Sequence, residues 1–254
     1  MSVCTGFLSF LRLRLKFYQY FSNADTSPVI LQHSVWFNIS THFNSCRSLS
    51  FYQHLRQDSF EFQFDRDGTE YACLTPEARQ KIYQAGLTKD EALGERRMYA
   101  TRTRSCPVGL LKLLKAKTNP AAEFLFNTCD KVALSLPSST SLWFTNSPLG
   151  PKPFGTMMSD ISMYAQTSGI YNMPNLRATI RYHLKYLHLS TRDSRFMSGR
   201  RNENPVPSNI LDQSATEWRK NAVQWTPLTG GRFATTKCEL LKQLAVKQLL
   251  AKTV

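Results

Sequence analysis

The strongest indication of the fold is a short segment in which two runs with strand character flank a predicted turn. Polar and apolar residues alternate from Ser59 to Phe64, and a second run with strand character extends from Glu70 to Leu74. Between them lies Asp65-Arg66-Asp67-Gly68, and Asp and Gly are residues that tight turns favour. Alternation with a period of two is typical of a strand that buries one face. The segment therefore predicts an antiparallel β-hairpin.

Helical patterns dominate the chain after the hairpin. Apolar residues at helical spacing predict core helices over Val108–Lys117 and Ala121–Leu134, and a further helix over Phe154–Gln166. The pair Asn119-Pro120 opens the second of these, because an asparagine caps a helix and a proline fits its first turn. Together with the hairpin, these helices predict a mainly helical α+β fold.

Two other stretches are predicted to be irregular. Between Glu77 and Arg97, Gly86 and Gly94 favour a loop rather than one continuous helix. The polar stretch from Asn202 to Thr216 contains two prolines and is the only evident linker.

The segment that begins at Pro174 has the most informative pattern, and it predicts a helix to about Leu189. One apolar stripe contains Leu176, Ile180, Leu184 and Leu187. Beside it, a basic face contains Arg177, Arg181, Lys185 and His188, at steps of four, four and three residues. Further basic residues follow at Arg192, Arg195, Arg200 and Arg201. This pattern is typical either of a phosphate-binding face or of a solvated one.

The net charge of the chain indicates a polyanionic partner. The 254 residues contain 32 Lys and Arg against 18 Asp and Glu, which gives a formal net charge of +14. Such an excess attracts DNA, RNA or an anionic membrane by long-range Coulomb forces. The alternative is a surface that charge merely keeps soluble. The length suffices for one sizeable domain, or for a domain with tails.

The spacing of the cysteines and the opening stretch argue against three classes of structure: a metal knuckle, a dense disulfide framework and a transmembrane helix. None of the six cysteines belongs to a Cys-x-x-Cys pair, so we expect neither a metal knuckle nor a dense disulfide framework. The apolar stretch from Phe7 to Phe21 is interrupted by Arg12, Arg14 and Lys16, which argues against a transmembrane helix. A transit peptide, a membrane-surface helix, and a mistranslated or alternatively spliced leader remain open. Residues 1–45 are therefore an unassigned basic leader.

A series of short blocks between Cys46 and Asn209 carries a family resemblance. The blocks are Arg47-Ser48-Leu49, Leu55-Arg56-Gln57-Asp58-Ser59-Phe60, Phe64 to Tyr71, Arg97-Met98-Tyr99-Ala100, Arg104-Ser105-Cys106-Pro107-Val108, Leu142-Trp143-Phe144, Pro148-Leu149-Gly150, Asn175-Leu176-Arg177-Ala178-Thr179, Ser198-Gly199 and Asn202-Glu203. In order and spacing they resemble the crypton-derived tyrosine recombinase domain of zinc-finger MYM-type proteins and their relatives. The resemblance covers roughly two-thirds of the chain. It implies a tyrosine-recombinase-like catalytic domain with a small antiparallel β-hairpin.

The chemistry of that family assigns roles to three cations. Two arginines clamp the scissile phosphate, a lysine and histidines move protons, and a tyrosine forms a covalent bond to phosphorus. The resemblance places Arg47 and Arg177 at the clamping positions and Lys81 near that of the hairpin lysine. The plainer alternatives are a carboxylate partner for Arg47, a solvated face for Arg177 and an ordinary loop for Lys81. We prefer the plainer alternative for Lys81 and phosphate contact for Arg177.

Three departures from the family pattern predict a loss of catalysis. Pro174 stands three residues before the second arginine, where the family has a histidine. The family's Ser-Gly-His motif reads Ser198-Gly199-Arg200, and an arginine binds phosphate but does not shuttle protons near neutral pH. The nucleophile position is occupied by Asn209, whose amide cannot attack phosphorus. Tyr182 and Tyr186 precede that motif, so we do not expect either to replace the nucleophile.

We therefore expect a nuclear, non-enzymatic domain that binds double-stranded DNA through phosphates, without metal, cofactor or membrane. The expected phosphate-binding residues are Arg47, Lys81, Arg177, Arg181, Lys185, Arg200 and Arg201. The recombinase-like domain is predicted over residues 46–212, followed by a C-terminal segment over residues 213–254. In that segment, the amphipathic helix predicted over Thr236–Lys252 packs on the chain itself, on a protein partner or on a second copy.

Three alternatives remain open at this point. The first is an active recombinase or integrase with an unrecognised tyrosine. The second is a nuclear protein-interaction module that does not bind DNA. The third is a decaying gene product without a stable fold.

Overall fold

The computed structural model describes residues 16–43, 49–86, 96–101 and 103–176. About half of these residues are helical, and two small antiparallel sheets account for the strands. After a helical stretch at residues 16–21, the elements are α1 (Pro28–His42), α2 (Ser50–His54), β1 (Phe60–Phe64), β2 (Glu70–Leu74), α3 (Pro76–Gln84), β3 (Met98–Tyr99), α4 (Pro107–Lys117), β4 (Asn127–Cys129), α5 (Lys131–Ser135), a 3-10 turn (Pro137–Ser139), β5 (Phe144–Pro148) and α6 (Pro151–Tyr164).

The predicted hairpin is confirmed. Strands β1 and β2 pair antiparallel from Phe60 opposite Leu74 to Phe64 opposite Glu70. Asp65 closes the turn, because its Oδ1 accepts hydrogen bonds from the backbone N–H groups two and four residues further on, at 2.9 and 3.1 Å. Strand β3 then pairs with β2, so the sheet order is β1-β2-β3.

The three-stranded sheet has two chemically different faces. The register places one set of side chains toward the hydrophobic core: Phe60, Phe62, Ala72, Leu74 and Met98. The opposite set, which we call the outer face, consists of Glu61, Gln63, Tyr71, Cys73 and Tyr99. Side chains of a strand alternate between faces, so a single register fixes both sets.

Helix α1 lies in the middle of the core. Buried apolar side chains occur on all its sides, among them Leu31, Trp36, Phe37 and Ile39. Its buried serines donate to backbone carbonyls four residues back, as Ser40 does to the Trp36 carbonyl at 2.7 Å, which satisfies their hydroxyl donors. The helix packs against α4, α5 and α6. Residues 28–42, which the sequence left unassigned, thus share one core with the helices that follow the hairpin.

Two of the predicted helices are confirmed. The pattern over residues 108–117 corresponds to α4, and that over residues 154–166 corresponds to α6. Both begin with a proline in the first turn, where the missing N–H is not needed. Cys106 is the N-cap of α4, with its sulfur accepting from the Gly109 N–H at 3.4 Å.

The prediction of a helix over Ala121–Leu134 is wrong. Asn119 does accept from the Ala121 N–H at 2.9 Å, but the turn that follows does not continue as a helix. Instead, the Leu125 N–H donates to the Leu55 carbonyl at 2.8 Å, and the Glu123 carbonyl accepts from the Gln57 N–H at 3.0 Å. Residues 127–129 then form β4 opposite β5, and only α5 is helical. Backbone groups that bond to a distant segment are unavailable for a helix.

The predicted loop over residues 77–97 is corrected in its first half, where α3 is helical. Thr75 caps this helix by accepting from the Ala78 N–H at 3.3 Å, and a proline occupies the first turn. The chain leaves the helix at Gly86, whose φ of 67° is a conformation that glycine adopts without strain. Gly94 lies outside the described residues.

Candidate nucleic-acid interface

Most of the predicted phosphate-binding residues lie outside the described part of the chain. They are Arg47, Arg177, Arg181, Lys185, Arg200 and Arg201, and Asn209 and the predicted C-terminal helix lie outside it as well. The structure does place Lys81, which is exposed on α3. Lys81 therefore belongs to the helix that follows the hairpin, not to the hairpin itself.

Pro174 is described, and it lies in the first turn of a helix, as predicted. Residues 173–176 are helical. The Asn172 side-chain oxygen accepts from the Asn175 N–H at 3.1 Å, and the Asn175 side-chain oxygen accepts from the Asn172 N–H at 2.9 Å. Such a reciprocal pair is a capping box, which fixes where a helix begins. Leu176, the first member of the predicted apolar stripe, is buried in the core.

The positive charge of the chain is unevenly distributed along the sequence. The described residues contain 13 Lys and Arg against 10 Asp and Glu. Residues 177–254 contain 14 Lys and Arg against only 5 Asp and Glu. Several described cations also pair with carboxylates: Arg56 with Glu123, Arg104 with Asp25, and Lys112 with Glu70. The described part is therefore close to electrically balanced, and most of the excess lies after Leu176.

Lysines of α4 lie over aromatic rings. The ammonium groups of Lys112 and Lys115 are 4.9 and 5.4 Å from the centre of the Phe62 ring. Lys117 lies 4.7 Å from the Trp143 ring centre. At these distances each cation is attracted to the face of the ring. Burial lowers the pKa of Lys115, and the carboxylate of Asp58 opposes that shift.

A tyrosine and a histidine form a hydrogen-bonded pair between residues 16–21 and α1. The Tyr20 hydroxyl and His33 Nδ1 are 2.8 Å apart. The Tyr164 ring stacks on Tyr20 with a centroid separation of 6.3 Å and an interplanar angle of 4°. Burial lowers the pKa of His33 to about 4, and the nearby Asp160 carboxylate offsets only part of this decrease. Sequence reasoning missed this cluster because half of it belongs to the unassigned residues 1–45.

The electrostatics of this pair argue against nucleophilic chemistry. Burial raises the pKa of Tyr20 well above its ordinary value, and Tyr164 and Asp160 add to the increase. Burial also raises the pKa of Tyr71 on the outer face. A phenol is a nucleophile in its deprotonated form, so a raised pKa weakens it. The neutral imidazole of His33 instead shares a hydrogen bond with the Tyr20 hydroxyl.

Within residues 16–43, 49–86, 96–101 and 103–176, no group of three or more His, Cys, Asp and Glu side chains is arranged to hold a metal ion. In the same ranges, no helix has the length and apolar character needed to cross a membrane.

Among known proteins, no family model, no curated protein and no solved structure matches the chain.

Proposed function

We propose that the chain is a nuclear DNA-binding domain derived from a tyrosine recombinase, which binds the phosphates of duplex DNA without cutting them. The observation that carries this proposal is the step in charge at Leu176. Residues 1–176 contain 18 Lys and Arg against 13 Asp and Glu, whereas the 78 residues that follow contain 14 Lys and Arg against only 5 Asp and Glu. Clustered Lys and Arg side chains neutralise DNA phosphates and release condensed counterions, which is the main source of non-specific affinity.

In this proposal the two predicted clamping arginines act on one phosphate, and each follows a buried core residue in the sequence. Phe43 lies four residues before Arg47, and Leu176 immediately precedes Arg177. Both apolar residues are buried in the same hydrophobic core. Each arginine therefore follows closely on a residue whose position is fixed by packing. In this proposal the guanidinium groups of Arg47 and Arg177 clamp the oxygens of one phosphate, to which their planar forks are suited.

The absence of cleavage in this proposal follows from the residues at the reacting positions. Asn209 replaces the nucleophile, and Arg200 and Pro174 replace histidines. The helix start at Asn172 gives Pro174 a structural role in the first turn instead. Tyr20 does not supply a substitute, because burial keeps its hydroxyl protonated.

A salt titration with duplex DNA tests the proposal. The full chain is mixed with a labelled duplex, and fluorescence anisotropy gives the affinity between about 50 and 300 mM salt. We expect measurable binding in low salt and a logarithmic salt slope that corresponds to several phosphate contacts. An absence of binding at the lowest salt concentration would overturn the proposal and favour the protein-interaction alternative.

Matched charge variants locate the contact. The variant R177Q/R181Q/K185Q removes three positive charges from the predicted basic face. The control R66Q/K131Q/K152Q removes three charges from exposed residues of the described part. We expect the first variant to lower the salt slope by about 2 to 3, and the control to change it by less than about 1.

An active recombinase, the other alternative, predicts a covalent product. A nicked duplex that traps the phosphotyrosine intermediate, followed by denaturing electrophoresis, would reveal it. We expect no protein–DNA adduct after prolonged incubation. An adduct that disappears when one tyrosine is changed to phenylalanine would establish an enzyme and contradict the proposal.

A further inference from the structure

The helical stretch at residues 16–21, which we call the strap, packs on α1 through two aromatic rings. The ring centroids of Phe17 and Phe21 lie 5.7 and 5.3 Å from that of Phe37. Both strap phenylalanines are buried in the hydrophobic core. Because this side of the strap is fixed to the core, its other side chains have a defined position.

Two other strap residues contact the C-terminal end of α6. The Lys16 ammonium donates a hydrogen bond to the Gln166 carbonyl. The Tyr20 ring stacks on Tyr164, the last residue of α6, and the Tyr20 hydroxyl is held by its hydrogen bond with His33. A lysine at this end of a helix also interacts favourably with the helix dipole. The strap thus joins the core to the point where α6 ends.

A short, hydrogen-bonded connection leads from the end of α6 to the next helix. The carbonyl of the buried Ser162 accepts from the Thr167 N–H at 3.1 Å, and its hydroxyl oxygen accepts from the Tyr171 N–H at 3.1 Å. The capping box follows directly, and Leu176 is then buried in the core. Contacts are therefore continuous from the strap to the residue that precedes the predicted basic face.

We infer that the strap is a positioning element, which fixes the start of the helix that carries the predicted basic face and thereby strengthens DNA binding. Only residues 167–171 separate Gln166 from the capping box, so a shift in the end of α6 changes the direction in which the next helix begins. The effect on DNA rests on the proposed function. A form of the chain with another sequence over residues 16–21 would bind DNA more weakly, although Arg177 and the basic residues after it are unchanged.

A matched pair of double variants isolates the contact between the strap and α6. K16A/Y164A removes one ammonium group and one phenol ring from that contact. The control Y18A/K152A removes the same two residue types from exposed positions and gives the same net charge. Tyr18 lies about 200° around the strap from Tyr20, and Lys152 lies about 18 Å along α6 from Tyr164. Tyr164 is 56% exposed, so its replacement should leave the core folded.

Amide hydrogen exchange tests the positioning without DNA. In the full chain, we expect K16A/Y164A to exchange the amides of residues 167–176 roughly threefold to tenfold faster than Y18A/K152A does. Exchange in the middle of α4, over residues 110–114, should be the same in both variants. Unchanged exchange over residues 167–176, or an equal increase over residues 110–114, would overturn the inference.

Milder substitutions separate the contact from a general loss of stability. Tyr164→Phe keeps the ring that stacks on Tyr20, and Lys16→Arg keeps a donor for the Gln166 carbonyl. The variant K16R/Y164F should therefore exchange like the unmodified chain. Lys16→Ala alone keeps the aromatic contact and should show a smaller increase over the same residues. Exchange as fast in K16R/Y164F as in K16A/Y164A would contradict a role for these contacts.

Duplex DNA tests the consequence of the positioning. In the anisotropy titration at about 50 mM salt, K16A/Y164A should bind roughly threefold to tenfold more weakly than Y18A/K152A, although both have lost one positive charge. If the two variants bind DNA equally, the inference fails and the proposed function stands. If the unmodified chain does not bind DNA, the proposed function fails, and hydrogen exchange alone decides whether the strap positions residues 167–176.

Discussion

Helices α1 and α4 pack against each other but use their surfaces in opposite ways. Helix α1 has buried residues on all sides, including the polar side chains of Gln32, Asn38 and His42. Helix α4 buries Leu110, Leu111 and Leu114 on one side, and its lysines lie on the other. The first helix therefore lies almost wholly in the interior, whereas the second joins the interior to the charged surface. The comparison indicates that stability depends on α1 around its full circumference and on only half of α4.

Replacing buried side chains on opposite sides of α1 by alanine should give the largest loss in the free energy of unfolding. Phe37 and Ile39 lie about 200° apart around the helix axis and are both buried. We expect Phe37→Ala to lower the free energy of unfolding by about 3–5 kcal/mol and Ile39→Ala by about 2–5 kcal/mol.

The matched pair on α4 should behave differently in the same urea denaturation experiment. Leu114→Ala should cost about 2–5 kcal/mol, whereas Lys112→Ala, on the opposite side, should cost less than about 1 kcal/mol. A stable α1 variant on either side would contradict full burial of that helix. If either α1 variant fails to fold, Ile39→Val gives the smaller loss of about 0.5–1.5 kcal/mol to measure.

Acid should distinguish the two helices next, because α1 contains buried histidines and α4 contains none. The His42 Nδ1–H donates to the Asn38 carbonyl at 2.7 Å, and burial lowers the pKa of this histidine from 6.5 to about 4. Between these pH values the imidazole of His42 is protonated in the unfolded chain but neutral in the folded chain. The contribution of neutral His42 to the free energy of unfolding is therefore complete above pH 6.5, and it falls by roughly 3 kcal/mol as the pH is lowered toward 4.

A histidine variant isolates this contribution from that of the carboxylates. Urea denaturation of the unmodified chain and of His42→Gln is measured at pH 7, 5.5 and 4. The difference in stability between the two proteins should shrink or reverse as the pH falls. Parallel pH profiles would show that His42 is not buried in its neutral form.

The caps of the two helices predict a smaller difference. The Ser27 oxygen is 3.5 Å from the Ile30 N–H of α1, which is a long hydrogen bond. The Cys106 sulfur accepts from two backbone N–H groups, those of Gly109 and Thr101, at 3.4 and 3.2 Å. We expect Cys106→Ala to lower the free energy of unfolding by about 1 kcal/mol and Ser27→Ala by about 0.5 kcal/mol. Cys106→Ser should keep the cap, and thermal denaturation of all three variants tests the order.

A substitution on the lysine side of α4 should have the smallest effect on the free energy of unfolding. Lys117→Gln removes the cation from the Trp143 ring and should cost about 0.5–1 kcal/mol. Because Trp143 is buried, the loss should depend less on salt than that of an exposed ion pair. A cost above about 2 kcal/mol would mean that α4 is not the half-exposed helix that the comparison requires.

The contrast between α1 and α4 shows which parts of the fold can be predicted from the sequence. The hairpin and α4 are predicted because alternation, an Asp-Gly turn and a one-sided apolar stripe are local signals. Helix α1 is missed because residues buried on every side leave no stripe, and its partners are distant: the Gln32 amide donates to the Asn127 carbonyl across 95 residues. The wrong helix over residues 121–134 has the same cause, since its backbone bonds to residues 55 and 57.

The candidate sites follow this rule as well. The helix start predicted at Pro174 lies within two residues of the Asn172 cap, because a proline in the first turn is a local signal. Tyr20 and His33 meet because residues 16–21 fold back on α1. A site that forms only through tertiary packing has no local sequence pattern from which it could be predicted.

The capping box at Asn172 and Asn175 has a consequence for how length changes in this stretch are tolerated. It sets the starting angle of the helix, and the buried Leu176 fixes the same angle against the core. One residue inserted directly after Leu176 would rotate every later residue of the predicted helix by about 100° about its axis. The basic face would then turn away from its original direction although its composition is unchanged. Insertions of three or four residues, close to a whole turn, are the ones that should preserve the proposed DNA binding.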